Sequence, residues 1–364
     1  MPCYFKNAIL ICDLFLSPTK YSPEPRIFSI YTMTDRAANQ GSSIRITQRN
    51  ERSFLMSVVQ FLVRRLRGPL NSGKPKHEDG SINLNPSKAK LKMCTLSERT
   101  VCDIHIYDVV PPSRPSKDPE KRIYYFAGGS WQTPPSSQHY QICAKMAKDM
   151  PDAIISIVSM PLAPNNPAPS SFPWGMKLYR ALMAEAEEAG ERIILVGDSS
   201  GANMALGLAL EALREDSEQP QVDIRQIPHP VAIMAICPST DLTRNNPNIH
   251  KIAPKDPLLT PDLIKGTAKA WYADWDPADR RVSPINNDIS LLKKRGIKVH
   301  GITAGCDVLS PDGMIFRDRC AKEGVQGEWV HWAKQMHCFV LTMPYGLSEA
   351  KEGVQWMIDV LKKE

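Results

Sequence analysis

The sequence lacks several signatures that would have pointed elsewhere. It has no N-x-[ST] glycan acceptor: the near miss Asn85-Pro86-Ser87 carries the proline that forbids modification. Its nine cysteines are odd in number and include no C-x-x-C pair, which argues against both a disulfide framework and a zinc site. Thiols scattered in this way read as mostly buried in a reducing compartment, so a cytoplasmic protein is expected. No Lys/Arg block is interleaved with aromatics and the formal net charge is only +6, so no nucleic-acid partner is expected. The apolar stretch "NAILICDLFL" (Asn7–Leu16) is too short to span a bilayer, is interrupted by Asp13 and is followed by no clean small-residue cleavage site. A membrane partner is therefore not expected. Residues 1–32 read either as a weak targeting segment or as an extension ahead of a start at Met33.

What remains is a chain of 364 residues, 42% hydrophobic, enough for a substantial core. Within "RSFLMSVVQFLVRRLRGPL" (Arg52–Leu70), Phe54, Leu55, Val58, Val59, Leu62 and Leu66 recur at helical spacing opposite Arg64, Arg65 and Arg67. This predicts one amphipathic helix packed on a domain, and residues 33–93 are read as cap helices and linker. From Cys94 onward, short apolar runs alternate with longer helical segments. "VCDIHIYDVV", "RIYYFAGG", "AIISIVSMPLAP", "ERIILVGDSS", "VAIMAICPSTD", "IKVHGITAGCD" and "GEWVHWAKQMH" read as seven strands. Such near-continuous apolar strands predict an α/β fold over residues 94–364, with a mostly parallel sheet covered by helices on both faces. A helical, proline-bounded insertion at about residues 246–286, between the fifth and sixth of these strands, falls where a cap would sit.

The stretch "VGDSSGAN" (Val196–Asn203) follows the buried run "RIILV" and launches a helical one. A strand–turn–helix around G-x-S-x-G is the context of a nucleophile elbow, with Ser199 at its centre. A serine hydroxyl needs a base, and the base needs a group to orient it. In sheets of this type the order along the chain is serine, acid, histidine, each at the mouth of a strand. Asp307 after "IKVHGITAGC" and His337 after "GEWVHWAKQM" meet that order. Among rivals, His300 and His331 lie inside strands and read as core histidines, while Asp312 in "SPDG" reads as a helix cap. Gly128-Gly129 ends the strand "RIYYFA", so the N–H groups of Gly129, Ser130 and Ser200 are the candidate oxyanion donors. Trp271, Tyr272 and Trp275 in the insertion fit either an apolar substrate wall or plain packing.

These motifs resemble those of the hormone-sensitive-lipase-like branch of the α/β-hydrolase superfamily, also called alpha/beta hydrolase fold-3. Its "GDSAGGN" elbow is similar to Gly197–Asn203, its "DPL" to Asp307-Val308-Leu309, its "HGF" to His337-Cys338-Phe339, and its cap segment to Asp256–Pro284. The resemblance implies an α/β-hydrolase fold with a helical cap, a small-molecule ester substrate and no metal or organic cofactor. It leaves a homodimer open. Two departures stand out. Ala127-Gly128-Gly129-Ser130 replaces "HGGG", losing a histidine that braces the loop in the family, and Met160–Asn165 replaces "YRLAPE". "AGGSW" also resembles the "HGGxW" loop of kynurenine formamidases, which keeps amide hydrolysis open. Gibberellin receptors resemble the same family without the catalytic histidine, so retention of His337 favours an enzyme over a receptor.

Overall fold

The computed structural model describes residues 42–70, 77–86, 91–113, 120–219, 223 and 225–364. The Asn7–Leu16 stretch, the alternative start at Met33 and residues 1–32 as a whole lie outside the described residues. At the centre is one nine-stranded sheet in the order β1-β9-β8-β7-β6-β4-β5-β3-β2. The strands are β1 (Ile44–Arg49), β2 (Thr95–Val101), β3 (Ile104–Val110), β4 (Lys121–Phe126), β5 (Ala153–Val158), β6 (Arg192–Asp198), β7 (Ala232–Ile236), β8 (Lys298–Cys306) and β9 (Gly327–Met336). The β2–β3 and β3–β5 pairs are antiparallel, and the other six are parallel.

The periodicity of β6 shows why its sequence is almost continuously apolar. Ile193 and Leu195 point into the core on one face, Ile194 and Val196 into the core on the other. Two-sided burial removes the polar alternation of a half-exposed strand. The first core takes in α3 (Ala168–Ala189) and α4 (Ser200–Ser217). The second takes in α1 (Phe54–Leu70), α2 (Ser137–Asp149) and α9 (Ser348–Leu361).

Two strands escape the sequence reading, and both are polar edges. β1, "IRITQR", pairs in parallel with β9, so the stretch before α1, read from sequence as cap and linker, supplies a strand of the sheet. β2, "TLSERTV", forms a hairpin with β3 through Cys102-Asp103, at φ 48° and 59°. Positive φ at both loop residues matches the tight turn that two-residue hairpins favour. Edge strands carry charge because charge blocks edge-to-edge pairing, and that charge hides them from a hydrophobicity argument. The face of α1 also differs from expectation. Met56, Val59 and Val63 are buried, whereas Phe54, Leu55 and Phe61 are exposed. Arg64 and Arg67 donate to the carbonyls of Pro254 and Asp256, which ties α1 to the insertion.

The insertion between β7 and β8 holds α5 (Asn248–Ile252), α6 (Pro261–Tyr272) and a short 3-10 turn at Pro284–Asn286. The N-terminus of α6 is set by Pro261 and by Thr260, whose hydroxyl accepts from the Leu263 amide at 3.2 Å. Beyond it lie α7 (Ser290–Arg295) and, after β8, α8 (Ser310–Lys322). Asp312 sits in the first turn of α8 rather than capping it, and it accepts from Asn246 Nδ2 at 2.7 Å.

Candidate active site

The site forms where β6, β8 and β9 end. Ser199 stands between β6 and α4 at φ +54°, a left-handed conformation that a non-glycine residue adopts only under constraint. Its amide donates to the Ile236 carbonyl at 2.8 Å, and its carbonyl receives the Asn203 amide at 3.2 Å. The flanking glycines make the turn possible. A Cβ on Gly201 would be driven into the Phe126 carbonyl, and one on Gly197 would come within 2.5 Å of Gly201 C.

From that position the Ser199 hydroxyl donates to His337 Nε2 at 2.9 Å, and His337 Nδ1–H donates to Asp307 Oδ2 at 2.8 Å. The structure thus brings together the three residues singled out in the sequence. Asp307 and His337 are buried, and Ser199 is 8% exposed. Burial opposes a charge on His337, but the Asp307 carboxylate and its hydrogen bond outweigh it and push His337 up to about 9. The rivals go elsewhere: His300 Nδ1 accepts from the Glu328 amide and His331 Nδ1 bonds to Thr303, both inside the sheet.

A second buried carboxylate, which the sequence reading passed over, holds the acid in place. Asp256 Oδ1 accepts from the amides of Leu258 and Leu259, and its Oδ2 accepts from Val308, the residue after Asp307. Burial and the neighbouring Asp307 push Asp256 up to about 7, while the three backbone donors favour its charged form. The sequence signal was its place in "DPLLTPD", which resembles the family's cap segment.

The loop after β4 approaches Ser199 from the other side. Gly129, Ser130 and Trp131 have φ of 143°, 58° and 58°, three consecutive positive values, and the Trp131 amide donates to Ser200 Oγ at 3.1 Å. The Gly129 and Ser130 amides have no acceptor among the described residues. Ser200 opens α4, where first-turn amides lack intrahelical acceptors. The loop is braced by Asp198. Its Oδ1 accepts from Gly128 N and from Tyr125 Oη, each at 3.0 Å, and from His139 Nε2 at 3.1 Å. His139 Nδ1 accepts from the Ser136 amide, which leaves the proton on Nε2 for Asp198. Burial opposes the Asp198 charge, but His139 and these donors hold its carboxyl below the usual range. Bracing therefore persists although Ala127 stands where the resembling family has histidine.

A narrow pocket opens onto Ser199, Ser130 and His337 beneath α6, with Leu259, Leu263, Ile264 and Leu309 among its walls. The aromatic residues of the insertion pack instead. Trp271 is buried against Trp131, Trp275 meets Phe172 edge-on, and Lys269 lies over Tyr272. Among the described residues, Cys237, His337 and Cys338 bring donor atoms within 4.8 Å of one another, a cluster that cysteine spacing could not reveal. The seven described cysteines are free.

Elbow and sheet together define an α/β hydrolase. The family model described as alpha/beta hydrolase fold matches residues 123–341, and the chain belongs to that family. An esterase of Acinetobacter venetianus is 26% identical over 205 residues, 56% of this chain and 62% of its own. Human hormone-sensitive lipase is 29% identical over 167 residues, covering 43% of this chain and 14% of its own. The matched region thus spans less than two thirds of the length of both relatives. A hormone-sensitive lipase from a metagenome library shares the fold with a TM-score of 0.66 at 20% identity, over 85% of this chain and 98% of its own. No helix among the described residues is long and apolar enough to cross a membrane.

Proposed function

We propose that the protein is a serine hydrolase that cleaves a carboxylic ester of a small or medium, largely apolar substrate through an acyl-enzyme. The observation that carries this reading is the hydrogen-bonded series Ser199–His337–Asp307 opening onto a cavity. Ser199 Oγ attacks the carbonyl carbon as His337 Nε2 takes its proton. The tetrahedral oxyanion is held by the N–H groups of Gly129, Ser130 and Ser200. His337 then gives its proton to the leaving alcohol, and water repeats the sequence on the acyl-enzyme. Asp307 holds the imidazole in the tautomer whose Nε2 is free, and it stabilises the imidazolium. The esterases and lipases among the relatives support the reaction class. The divergent loops Ala127–Ser130 and Met160–Asn165 favour a specialised ester over bulk lipid. Seven free described thiols are consistent with a reducing, cytoplasmic setting.

The test combines a fluorophosphonate probe with a graded series of p-nitrophenyl esters and an N-formyl aromatic amide. Labelling of wild type, none of Ser199→Ala, and turnover of esters in preference to the formamide are expected. Labelling at another residue would overturn the assignment of the nucleophile. Preferred cleavage of the formamide would move the protein to the formamidase reading that "AGGSW" allows. Probe reactivity with no turnover of either class would favour a receptor on the same fold.

A further inference from the structure

The wall of the catalytic cavity contains one residue that hydrolysis of a neutral ester does not call for. Arg244 lines the same cavity as Ser199, Ser130 and His337, yet it is 96% buried (4% exposed). Its Nη1 donates to the Asp241 carbonyl at 2.6 Å and its Nη2 to Ser239 Oγ at 2.7 Å. Its Nε–H has no acceptor, and no carboxylate forms a salt bridge with it among the described residues. Of the acids around it, Asp307 holds His337 and Asp241 Oδ1 takes the Thr243 amide, while Asp312 accepts from Asn246 through Oδ1 and leaves Oδ2 unpartnered.

A buried guanidinium with no direct ion pair is disfavoured, because its desolvation is incompletely repaid. Burial holds Arg244 down to about 10, and the facing Asp312, Asp241 and Asp307 only partly offset it. The backbone adds a second oddity, since Arg244 sits at φ +55° in the loop beyond β7. A long side chain in a left-handed conformation is kept where the surroundings over-determine it, often at ligand sites. The same pocket is lined by the aliphatic side chains of Leu259, Leu263, Ile264 and Leu309.

We propose that Arg244 receives a carboxylate of the substrate, so that the favoured ester carries an anionic end separated from the scissile bond by an aliphatic spacer. The guanidinium is the geometry for it: a planar fork of donors, always charged, suited to a carboxylate. The substrate carboxylate would give the guanidinium a directly paired anion, and its arrival would satisfy the Nε–H. This deepens the hydrolase reading and rests on it. It assigns the acidic end of the substrate and leaves the chemistry at Ser199 unchanged.

The experiment compares mono-p-nitrophenyl adipate with p-nitrophenyl hexanoate, esters of equal acyl length that differ in the terminal carboxylate. Wild type is expected to favour the acidic ester in kcat/KM by about 10- to 100-fold, the size of a hydrogen bond to a charged group. In Arg244→Gln that ratio should fall to about one, chiefly through KM, with partial recovery in Arg244→Lys. Because Arg244→Gln also loosens the Ser239–Asp241 loop, a second measurement uses wild type alone. Adipate should slow fluorophosphonate labelling of Ser199 at concentrations where hexanediol does not. Equal kcat/KM for the two esters together with no protection by adipate would overturn the proposal while leaving the hydrolase reading intact. Protection by adipate with no turnover of any ester would support the anion site and overturn the hydrolase reading instead.

Discussion

Trp131 and Trp271 stack nearly face to face, with ring centroids 5.7 Å apart and planes 6° from parallel. The first belongs to the loop after β4 that carries the candidate oxyanion donors, the second to helix α6 of the insertion between β7 and β8. The stack therefore couples the position of the insertion to the geometry of that loop. We expect Trp271→Ala to lose about 3–5 kcal/mol of stability, the usual consequence of emptying a buried tryptophan site. Its KM should rise more than its kcat falls, because the insertion moves while the Ser199–His337–Asp307 series stays. Trp271→Phe, which preserves a ring, should keep most of both. Thermal melting beside steady-state kinetics checks this, and an unchanged melting temperature in Trp271→Ala would show that the stack does not hold the insertion.

The pH dependence follows from the charges around His337. Only the neutral imidazole can take the Ser199 proton, and His337 is pushed up to about 9 by Asp307 against the effect of burial. The ring is therefore mostly protonated near neutrality, and kcat/KM should climb about tenfold per pH unit from pH 6 until it levels near pH 9. Asp256 contributes a smaller part of that rise. Removing its charge in Asp256→Asn should move the rising limb toward lower pH, while Asp256→Ala should also destabilise the fold by stranding three amides. A pH–rate profile of wild type levelling near pH 6.5 would mean that Asp307 does not raise His337.

How much of this was legible in the sequence depends on whether the signal was local. The elbow could be read because Gly197, Ser199 and Gly201 must share one turn, and the chain order then narrowed the acid and base to Asp307 and His337. The central strands could be read because burial on both faces leaves them apolar. What escaped depends on partners distant in the chain. Charged edge strands β1 and β2 look like loops until their neighbours are known. Asp256 reaches Val308 across 52 positions, and His139 reaches Asp198 across 59. Arg244 is unremarkable in sequence, and only its burial with an unpartnered Nε–H marks it. The aromatics of the insertion fitted two roles equally, and the structure resolves them in favour of packing.

Two glycine-to-alanine changes should act with opposite sign. Gly201→Ala would push a methyl group into the Phe126 carbonyl, and backbone cannot yield there without moving β4 or the elbow. We expect little soluble protein, or a loss of several kcal/mol with activity abolished. Gly266 lies exposed on α6, where an added Cβ meets nothing within 4 Å and no positive φ is required. Gly266→Ala should therefore raise stability by about 0.5–1 kcal/mol through lower backbone entropy in the unfolded chain. Calorimetry of both variants is the check, and a destabilised Gly266→Ala would mean that α6 needs flexibility at that point.

The final prediction concerns Ser130 and separates its side chain from its backbone. At φ +58° the residue presents its amide without an acceptor, and it lines the cavity beside Ser199. If that amide is an oxyanion donor, the hydroxyl is dispensable. Ser130→Ala keeps the donor and should reduce kcat less than about tenfold, and Ser130→Gly, which tolerates positive φ, should do the same or better. Proline cannot serve as the donor-deletion variant, because its ring fixes φ near −65° and would refold the loop. Replacing the Ser130 backbone amide by an ester linkage removes the N–H at little change in shape, and should lower kcat by about 10²–10³, the usual loss for one oxyanion donor. A loss of that size in Ser130→Ala, with an unchanged melting temperature, would make the hydroxyl the functional group and transfer the oxyanion role to Gly129 and Ser200 alone.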